Sequence, residues 1–242
     1  MLRFISFALF VLIGITSFSQ DEVSFKTTDS LTIYATDYFV SPENPYVILL
    51  HQENYSRGEY KDIALKLVKL NYNCLAMDLR VGGSVNGITN ETASEIHQKG
   101  LYPTYLDALN DINAAITYIQ TRSKKKVILF GSSFSGSLAM IEAQKDTMVK
   151  AVIAFSPGEY FLPQFNVENA LAGFSKPILA ACSPNEYSYV KELLSKVPTK
   201  NKTIFKASGK ENVHGASALW DNSPSKNEYW LALYMFFKKI NN

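Results

Sequence analysis

Residues 127–141 read Val-Ile-Leu-Phe-Gly-Ser-Ser-Phe-Ser-Gly-Ser-Leu-Ala-Met-Ile. Four apolar residues typical of a buried strand lead into a turn rich in glycine and serine, and the residues after the turn favour a helix. So sharp a turn can hold a serine in a strained conformation if the residues two positions before and after it are very small. Gly131 and Ser135 meet that condition around Ser133. The segment therefore predicts a nucleophile elbow at Ser133, and a Ser/Gly turn without chemistry is the alternative.

Around this segment the chain alternates short apolar runs with longer amphipathic patterns. The apolar runs predict strands that helices cover on both faces. They are Tyr46–Leu50, Asn73–Met77, 127–130, 151–155, Ile178–Cys182 and 203–207. An antiparallel hairpin is predicted upstream over 22–39, and helices over 104–122 and around 230–237. Such alternation is typical of parallel βαβ units, so the sequence predicts one α/β domain.

Ser56 and Glu59 have the spacing of a capping box, in which a serine and a glutamate three residues later satisfy the free amides of a helix start. Ile63, Ala64 and Leu67 follow at helical spacing. We therefore expect a helix to begin here, with Ser56 and Glu59 capping its first turn.

Two stretches interrupt the alternation, at 82–102 and 157–176. The first is polar, and the second joins two predicted strands. Loops at a sheet edge often carry functional residues, so both stretches are candidate rims of a pocket. The second is too short for a large helical lid, and we expect a shallow, open pocket.

The composition is that of an ordinary globular domain. Of 242 residues, 47% are hydrophobic and 19% are charged, and the formal net charge is +2. The lysines form no basic stripe interleaved with aromatic residues, which argues against a nucleic-acid partner. Cys74 and Cys182 each lie in an apolar run, and we expect both to be buried free thiols.

The amino-terminal residues have the pattern of an export signal. Arg3 precedes an apolar run over 4–15, and a small-residue pattern ends at Ser19. Cleavage after Ser19 would leave a mature domain over 20–242, in the periplasm or outside the cell. A retained anchor is the alternative, but about 15 apolar residues are fewer than the roughly 20 that a spanning helix needs. We therefore expect no stable membrane insertion of the mature chain.

A serine hydroxyl needs a neighbouring base to become a good nucleophile. Of the three histidines, His51 ends the first predicted parallel strand and His97 lies in the polar stretch. His214 follows the last predicted strand, and the loop at that position lies over the elbow in an architecture of this kind. We therefore predict His214 as the base of Ser133, with a solvated loop histidine as the alternative.

The base in turn needs a carboxylate that orients its ring and stabilises its cation. Strand order predicts this group between Ser133 and His214 in the sequence. Glu186 follows the strand that ends at Cys182, and Glu159 follows the preceding strand. We favour Glu186 over Glu159, and either carboxylate could instead be a surface charge or a helix cap.

An acyl-transfer site also needs hydrogen-bond donors for the oxygen that becomes negatively charged. The predicted donors are the amide of Phe134, which follows the nucleophile, and the amide of Glu53 in the loop after the first parallel strand. The amide of Gln52 is the fallback. A carboxylate beside the oxyanion would oppose catalysis, so the Glu53 side chain must point away or pair with Arg57.

Five segments carry a resemblance to a known family: His51-Gln52, Ser56-Arg-Gly-Glu-Tyr60, the elbow at 131–136, Phe155-Ser-Pro-Gly-Glu-Tyr160 and Val213-His-Gly215. Together they resemble the dienelactone-hydrolase-like branch of the α/β-hydrolase superfamily, over nearly all of the mature sequence. The resemblance implies a mostly parallel eight-stranded sheet with helices on both faces, no large lid domain, a Ser-acid-His triad, and no metal or cofactor. A serine replaces the cysteine of dienelactone hydrolases proper, and Glu186 replaces the commoner aspartate, which argues against dienelactone itself as substrate.

On these grounds we expect hydrolysis of a carboxylic ester through an acyl-enzyme at Ser133, with a small-molecule or carbohydrate-linked ester as substrate. A peptidase or an acyltransferase would share the covalent intermediate and differ only in the leaving group or the acceptor. A secreted scaffold that binds a partner without catalysis is the alternative from another class of function.

Overall fold

Ten strands are present in the computed structural model, which describes residues 18–241. In chain order they are β1 (Ser19–Lys26), β2 (Thr32–Phe39), β3 (Tyr46–Leu50), β4 (Asn73–Met77), β5 (Ser84–Val85), β6 (Ile88–Thr89), β7 (Val127–Ser132), β8 (Val149–Phe155), β9 (Ile178–Cys182) and β10 (Lys202–Lys206). Eight of them form one sheet in the order β1-β2-β4-β3-β7-β8-β9-β10, and β5 pairs only with β6. The run from β4 to β10 is parallel, whereas β2 is antiparallel to both of its neighbours.

Helices connect the parallel strands, as the alternating pattern predicted. They are α1 (Lys61–Val68), α2 (Glu91–Gln98), α3 (Leu109–Arg122), α4 (Phe134–Lys145), α5 (Val167–Ala170), α6 (Tyr187–Leu193) and α7 (Lys226–Asn241). Four 3-10 turns add Arg57–Tyr60, Tyr105–Ala108, Thr199–Asn201 and Gly215–Leu219. Only the four-residue α5 lies in the connection between β8 and β9, so the described chain has no large lid domain.

The core has two layers because successive side chains of a strand point to opposite faces of the sheet. On β7, Leu129 packs into the layer that holds helices α3 and α4. Its neighbours Ile128 and Phe130 pack into the opposite layer, with α1 and α7. All five residues of β3 are buried, which explains why its sequence is continuously apolar rather than alternating. These observations confirm the predicted fold class, a mostly parallel eight-stranded sheet covered by helices on both faces.

The prediction of a capping box is confirmed for Ser56 and wrong for Glu59. The Ser56 hydroxyl accepts from the amide of Gly58 (3.1 Å), as a cap should. The Glu59 carboxylate, however, is buried and accepts from the amide of Gln52 (2.8 Å) in the preceding loop. The amide of Gln52 and the hydroxyl of Ser132 supply the hydrogen-bond donors that this buried carboxylate needs.

The cysteines confirm the expectation of buried free thiols. Cys74 lies on β4 and Cys182 on β9, and these strands are not neighbours in the sheet. Between residues 18 and 241 no helix is long and apolar enough to cross a membrane. Most of the predicted export signal, residues 1–17, lies outside the described residues, so its cleavage stays a prediction.

A substitution at Gly131 tests how tightly the elbow is packed. A Cβ at this position would lie 2.3 Å from the carbonyl oxygen of Ser135 and 2.5 Å from the amide nitrogen of Gly136, both of them backbone atoms. We expect Gly131→Ala to lower the free energy of unfolding by about 1–3 kcal/mol, since neither atom can move without displacing the turn. Chemical denaturation of the two proteins measures the loss.

Gly173→Ala is the matched control. Its φ of 73° disfavours a side chain, but a Cβ there would have no atom within 4 Å. It should therefore cost only the conformational penalty of about 1–2 kcal/mol. An equal or smaller loss for Gly131→Ala than for Gly173→Ala would contradict the tight packing inferred for the elbow.

Candidate active site

The predicted elbow is a strained turn between β7 and α4. Ser133 has φ 60° and ψ −126°, a backbone conformation that residues other than glycine rarely adopt. Its amide donates to the carbonyl of Phe155 (2.7 Å) on the neighbouring strand. The hydroxyl of Ser135 donates to the carbonyl of Leu50 (2.7 Å) and accepts from the amide of Ser132 (2.9 Å). Ser135 therefore ties the turn to β3, which a glycine at this position could not do because it has no hydroxyl.

Three side chains that are far apart in sequence meet at the carboxyl edge of the sheet. His214 Nε2 lies 2.9 Å from Ser133 Oγ, and His214 Nδ1 lies 2.5 Å from Glu186 Oε1. A carboxylate only accepts hydrogen bonds, so the Nδ1 proton points to Glu186 and leaves Nε2 to accept from the serine hydroxyl. In this arrangement the histidine can take a proton from Ser133.

The surroundings of Glu186 hold it as a carboxylate. Its Oε2 accepts from the hydroxyl of Ser156 (2.8 Å) and the amide of Ser183 (2.9 Å). Burial opposes ionisation, but these bonds and the bond from His214 outweigh it and lower the pKa of Glu186 to about 2. The amide of Gly215 donates to the Ser156 hydroxyl (3.0 Å), so Ser156 also holds the residue beside the histidine. No sequence pattern predicts this role of Ser156.

Glu159, the alternative acid, lies at the start of a helix. Its carboxylate oxygens accept from the amides of Val167 (2.8 Å) and Glu168 (2.7 Å), the first two residues of α5. The negative charge is favourable at this position because helix amides there have no acceptor within the helix. Glu159 is therefore a helix cap, and of the two candidates only Glu186 contacts His214.

The other two histidines have different surroundings. His51 is fully buried, with Nδ1 2.8 Å from the carbonyl of Gln52 and Nε2 accepting from the amide of Leu79 (3.0 Å). Burial lowers its pKa to about 4, so the ring stays neutral and joins two loops. His97 is exposed on α2. Within residues 18–241, no three His, Cys, Asp or Glu side chains are grouped to hold a metal ion.

Hydrogen bonds in the loop after β3 show which of the two candidate oxyanion donors there, the amide of Glu53 or that of Gln52, is free. The amide of Gln52 donates to Glu59 Oε2 (2.8 Å), so it is already used. Among the residues that the structure describes, the amide of Glu53 has no acceptor. Phe134 is the first residue of α4, where an amide has no partner within the helix. The amides of Phe134 and Glu53 are therefore the two that remain open to a negatively charged oxygen.

Of the two alternatives for the Glu53 side chain, the pair with Arg57 is not formed. The Arg57 guanidinium is buried and forms ion pairs with three other carboxylates, those of Glu22, Asp78 and Glu91. These three carboxylates, of which that of Asp78 is fully buried, occupy the donors of the guanidinium. The Glu53 side chain is exposed. Burial, together with the negative charge of Glu53, raises the pKa of Tyr105 to about 12.

Glu59 is a residue whose position the sequence pattern did not reveal. It is 1% exposed, and its carboxylate accepts from the amide of Gln52 and from the hydroxyl of Ser132 (2.8 Å). The Ser132 hydroxyl accepts in turn from the amide of Ala216 (2.8 Å), two residues after His214. Glu59 thus joins the loop after β3, the elbow and the histidine loop. Burial raises its pKa to about 7, despite the opposing effect of these donors.

An aromatic cavity lies beside the nucleophile. The ring of Tyr105 stacks on that of Phe134, with centroids 4.6 Å apart. The phenol of Tyr160 donates to the carbonyl of Ser156 (3.0 Å). The cavity has a volume of about 430 Å³, and its walls are Pro103, Thr104, Tyr105, Leu106, Tyr160, Phe161 and Gln164.

Only one of the two predicted rims lines this cavity. The stretch 157–176 supplies one wall, but the stretch 82–102 does not reach it. The latter folds into β5, β6 and α2, and the side chain of Asn86 donates to the carbonyl of Gly58 (3.0 Å). The other wall begins at Pro103, directly after that stretch. Spacing in the sequence alone could not show which of these two neighbouring segments lines the cavity.

Comparison with known proteins agrees with this architecture. Residues 36–216 match the dienelactone hydrolase family. The esterase Pf2001 of Pyrococcus furiosus has a similar structure, with a TM-score of 0.70 and 19% identity over 92% of this chain and 93% of that one. A dienelactone hydrolase from Anabaena variabilis has a TM-score of 0.68 and 15% identity, over 92% of this chain and 98% of that one.

A curated relative is more similar in sequence but covers less of the chain. It is the thiohydrolase apmlB of Arthrinium phaeospermum, 26% identical over 142 residues. The aligned region covers 57% of this chain and only 43% of the relative, so the chain spans less than half of that protein's length.

The solved structures share the arrangement of the sheet over more than nine-tenths of this chain, so the chain has the α/β-hydrolase fold. The family match covers most of the sequence, including the elbow and the predicted base. The chain belongs to the dienelactone hydrolase family. This confirms the resemblance inferred from the five sequence segments.

Glu59 gives the folded protein a specific dependence on pH. Its pKa rises from the ordinary value of 4.5 to about 7, so the folded state loses stability relative to the unfolded chain as pH increases between these values. Glu59→Gln has no proton to lose. Its free energy of unfolding should therefore improve relative to wild type by up to about 3 kcal/mol between pH 4.5 and 7. Denaturation curves at several pH values measure the difference.

Glu43→Gln provides the control, because Glu43 is exposed and lies in the loop before β3, far from the elbow in the chain. Its stability curve should run parallel to that of wild type. A parallel curve for Glu59→Gln as well would show that the proton on Glu59 is not linked to folding.

Proposed function

We propose that the enzyme hydrolyses a carboxylic ester through an acyl-enzyme intermediate on Ser133. The observation that carries the proposal is the continuous hydrogen-bonded row from Ser133 Oγ through His214 to Glu186, with distances of 2.9 and 2.5 Å. Such a row is how a weakly acidic hydroxyl becomes a nucleophile in unrelated serine hydrolases. Family membership supports the hydrolytic outcome.

The reaction has two halves. In the first, His214 Nε2 accepts the hydroxyl proton while Ser133 Oγ attacks the ester carbonyl, and the same proton then goes to the departing alcohol. In the second, His214 takes a proton from water, which attacks the acyl-enzyme, and returns it to Ser133 as the carboxylic acid leaves. The carbonyl oxygen becomes negatively charged in both halves, and the open amides of Phe134 and Glu53 are its donors in this proposal.

Glu186 acts through His214 in this mechanism. Its pKa of about 2 keeps it ionised near neutral pH, so it can stabilise the imidazolium that forms in each half-reaction. Its two oxygens accept three hydrogen bonds, from Ser156, Ser183 and His214, and these hold the ring of His214 in the orientation that faces Ser133.

The expected substrate is a small or protruding ester, free or attached to a carbohydrate, because the connection between β8 and β9 contains only the short helix α5 and no large lid. Thioester hydrolysis is the second candidate, since one relative is named a thiohydrolase and a thioester would form the same acyl-enzyme. The ratio of kcat/KM for an oxygen ester and a thioester of the same acid distinguishes the two.

The catalytic assignment is tested by a fluorophosphonate probe together with a chromogenic ester. Wild type should be labelled and should hydrolyse the ester, whereas Ser133→Ala should do neither. His214→Ala and Glu186→Gln should reduce kcat by about 1,000-fold or more, because each removes part of the proton-transfer row.

Glu159→Gln is the matched control, because the amide oxygen can still cap α5 and the variant carries the same charge change as Glu186→Gln. It should retain kcat within a few-fold. A folded wild type that is never labelled would favour the non-catalytic scaffold, and loss of activity only in Glu159→Gln would reassign the acid. Labelling without ester turnover, but with amide cleavage or acyl transfer, would favour a peptidase or an acyltransferase.

The proposal includes export of the enzyme to the periplasm or the medium, on the basis of the apolar run over 4–15 and the small residues that end at Ser19. The mature protein should begin at Gln20. Intact mass and amino-terminal sequencing of the secreted or periplasmic fraction measure this directly. A full-length chain in the membrane fraction would instead support the retained anchor.

A further inference from the structure

The last helix, α7, has apolar side chains on its outer face as well as on its inner face. The inner face packs into the core through buried residues that include Tyr229, Leu233 and Phe237. On the outer face, Leu231 is 62% exposed, and Met235, one turn further along, is 55% exposed. The outer face of a helix in a globular protein is normally polar, so apolar residues grouped there indicate a surface that another molecule covers.

These two exposed side chains belong to one wall of a groove between α7 and β10. The opposite wall includes Thr203 and Phe205, which point to the same face of the sheet because they alternate along the strand. The groove has a volume of about 510 Å³. It lies at the periphery of the described fold, since β10 is an edge strand, and a second molecule can reach it there.

The residues of α7 that line the groove follow a self-complementary order. Glu228, Leu231, Met235 and Lys239 are separated by three, four and four positions, which places them on one side of the helix. In the reverse direction the order is again charged, apolar, apolar, charged, with the signs of the two charges exchanged. If two copies of α7 lie antiparallel, Glu228 of each copy is therefore next to Lys239 of the other, and the apolar residues meet between them.

The two charged residues can make this contact. The carboxylate of Glu228 accepts from the amide (2.9 Å) and the hydroxyl (3.0 Å) of Ser208, which fixes its position and leaves it able to accept a further bond. Lys239 is exposed in the last turn of α7. Opposite charges that meet across an interface fix the relative orientation of the two partners.

The edge strand is less suited to pairing than the helix. Lys202 and Lys206 are the first and last residues of β10. The ammonium group of Lys202 donates to the carbonyl of Leu194 (2.6 Å), and that of Lys206 lies 5.6 Å from the centroid of the Tyr187 ring. Lysines on an edge strand oppose the pairing of that strand with another chain. A contact through α7 is thus favoured, and a twofold axis would close it after two copies.

We propose that the chain forms a symmetric dimer in which α7 of each copy packs antiparallel on α7 of the other and covers its groove. A second copy is favoured over the amino-terminal segment of the same chain, because β1 and β10 are at opposite edges of the eight-stranded sheet. The groove shares no lining residue with the cavity beside Ser133, so the inference is independent of the proposed function.

Sedimentation equilibrium of wild type and Leu231→Lys tests the dimer. At tens of micromolar, wild type should have twice the mass of one chain. Leu231→Lys should raise the dissociation constant by about 100-fold or more, because each dimer would have to bury two ammonium groups among apolar side chains. The exposure of Leu231 in a single copy allows the variant to fold, and circular dichroism checks this. A monomeric wild type at these concentrations would overturn the proposal.

Leu101→Lys is the matched control. It is the same substitution at a leucine of similar exposure, 55%, that lines a different hollow. Its dissociation constant should equal that of wild type. If Leu101→Lys weakens association as much as Leu231→Lys does, the contact is not made through α7.

An exchange of charges tests the antiparallel arrangement. Glu228→Lys and Lys239→Glu should each raise the dissociation constant by about tenfold, because like charges would then meet across the twofold axis. The double variant should return to within a few-fold of wild type, since opposite charges meet again. Glu228→Lys also removes the bonds to Ser208, but this loss persists in the double variant, so recovery reports on the contact between the copies. A double variant that associates no better than Glu228→Lys would contradict the arrangement.

Discussion

The backbone of Ser133 is the constraint on which the active site depends. Its positive φ costs energy that persists only because the surroundings leave the turn no alternative. The neighbouring strand accepts the Ser133 amide, Ser135 is bonded to the end of β3, and Gly131 leaves no room for a side chain. The strain places the hydroxyl outside the sheet and starts α4 immediately behind it. The open amide of Phe134 follows from the same geometry.

Two buried polar groups connect this turn to loops from other parts of the chain. Ser156 joins Glu186 to the backbone beside His214, and Glu59 joins the loop after β3 to Ser132. Each group is satisfied by several donors or acceptors, which is the condition under which a buried polar network adds rigidity rather than instability. The positions of the nucleophile, the base and the oxyanion donors are thus coupled through hydrogen bonds, not through packing alone.

The electrostatic character of the site follows from where the arginines lie. Arg57 and Arg80 are each buried against carboxylates, which leaves neither with a free positive charge. Glu186, in contrast, pairs with His214, where its negative charge stabilises a positive charge on the ring.

The sequence by itself determined the sheet, the elbow and the chain order of the serine, a carboxylate and the histidine, because strands, helices and tight turns are encoded by patterns within a few neighbouring residues. Three parallel strands were predicted to the residue, as were both buried thiols. Only the tertiary structure decided that Glu186 contacts the histidine while Glu159 caps α5, and that Glu59 faces inward instead of closing a capping box. Every carboxylate in the sequence can bond to several donors, and its choice depends on loops that meet only after the sheet has formed.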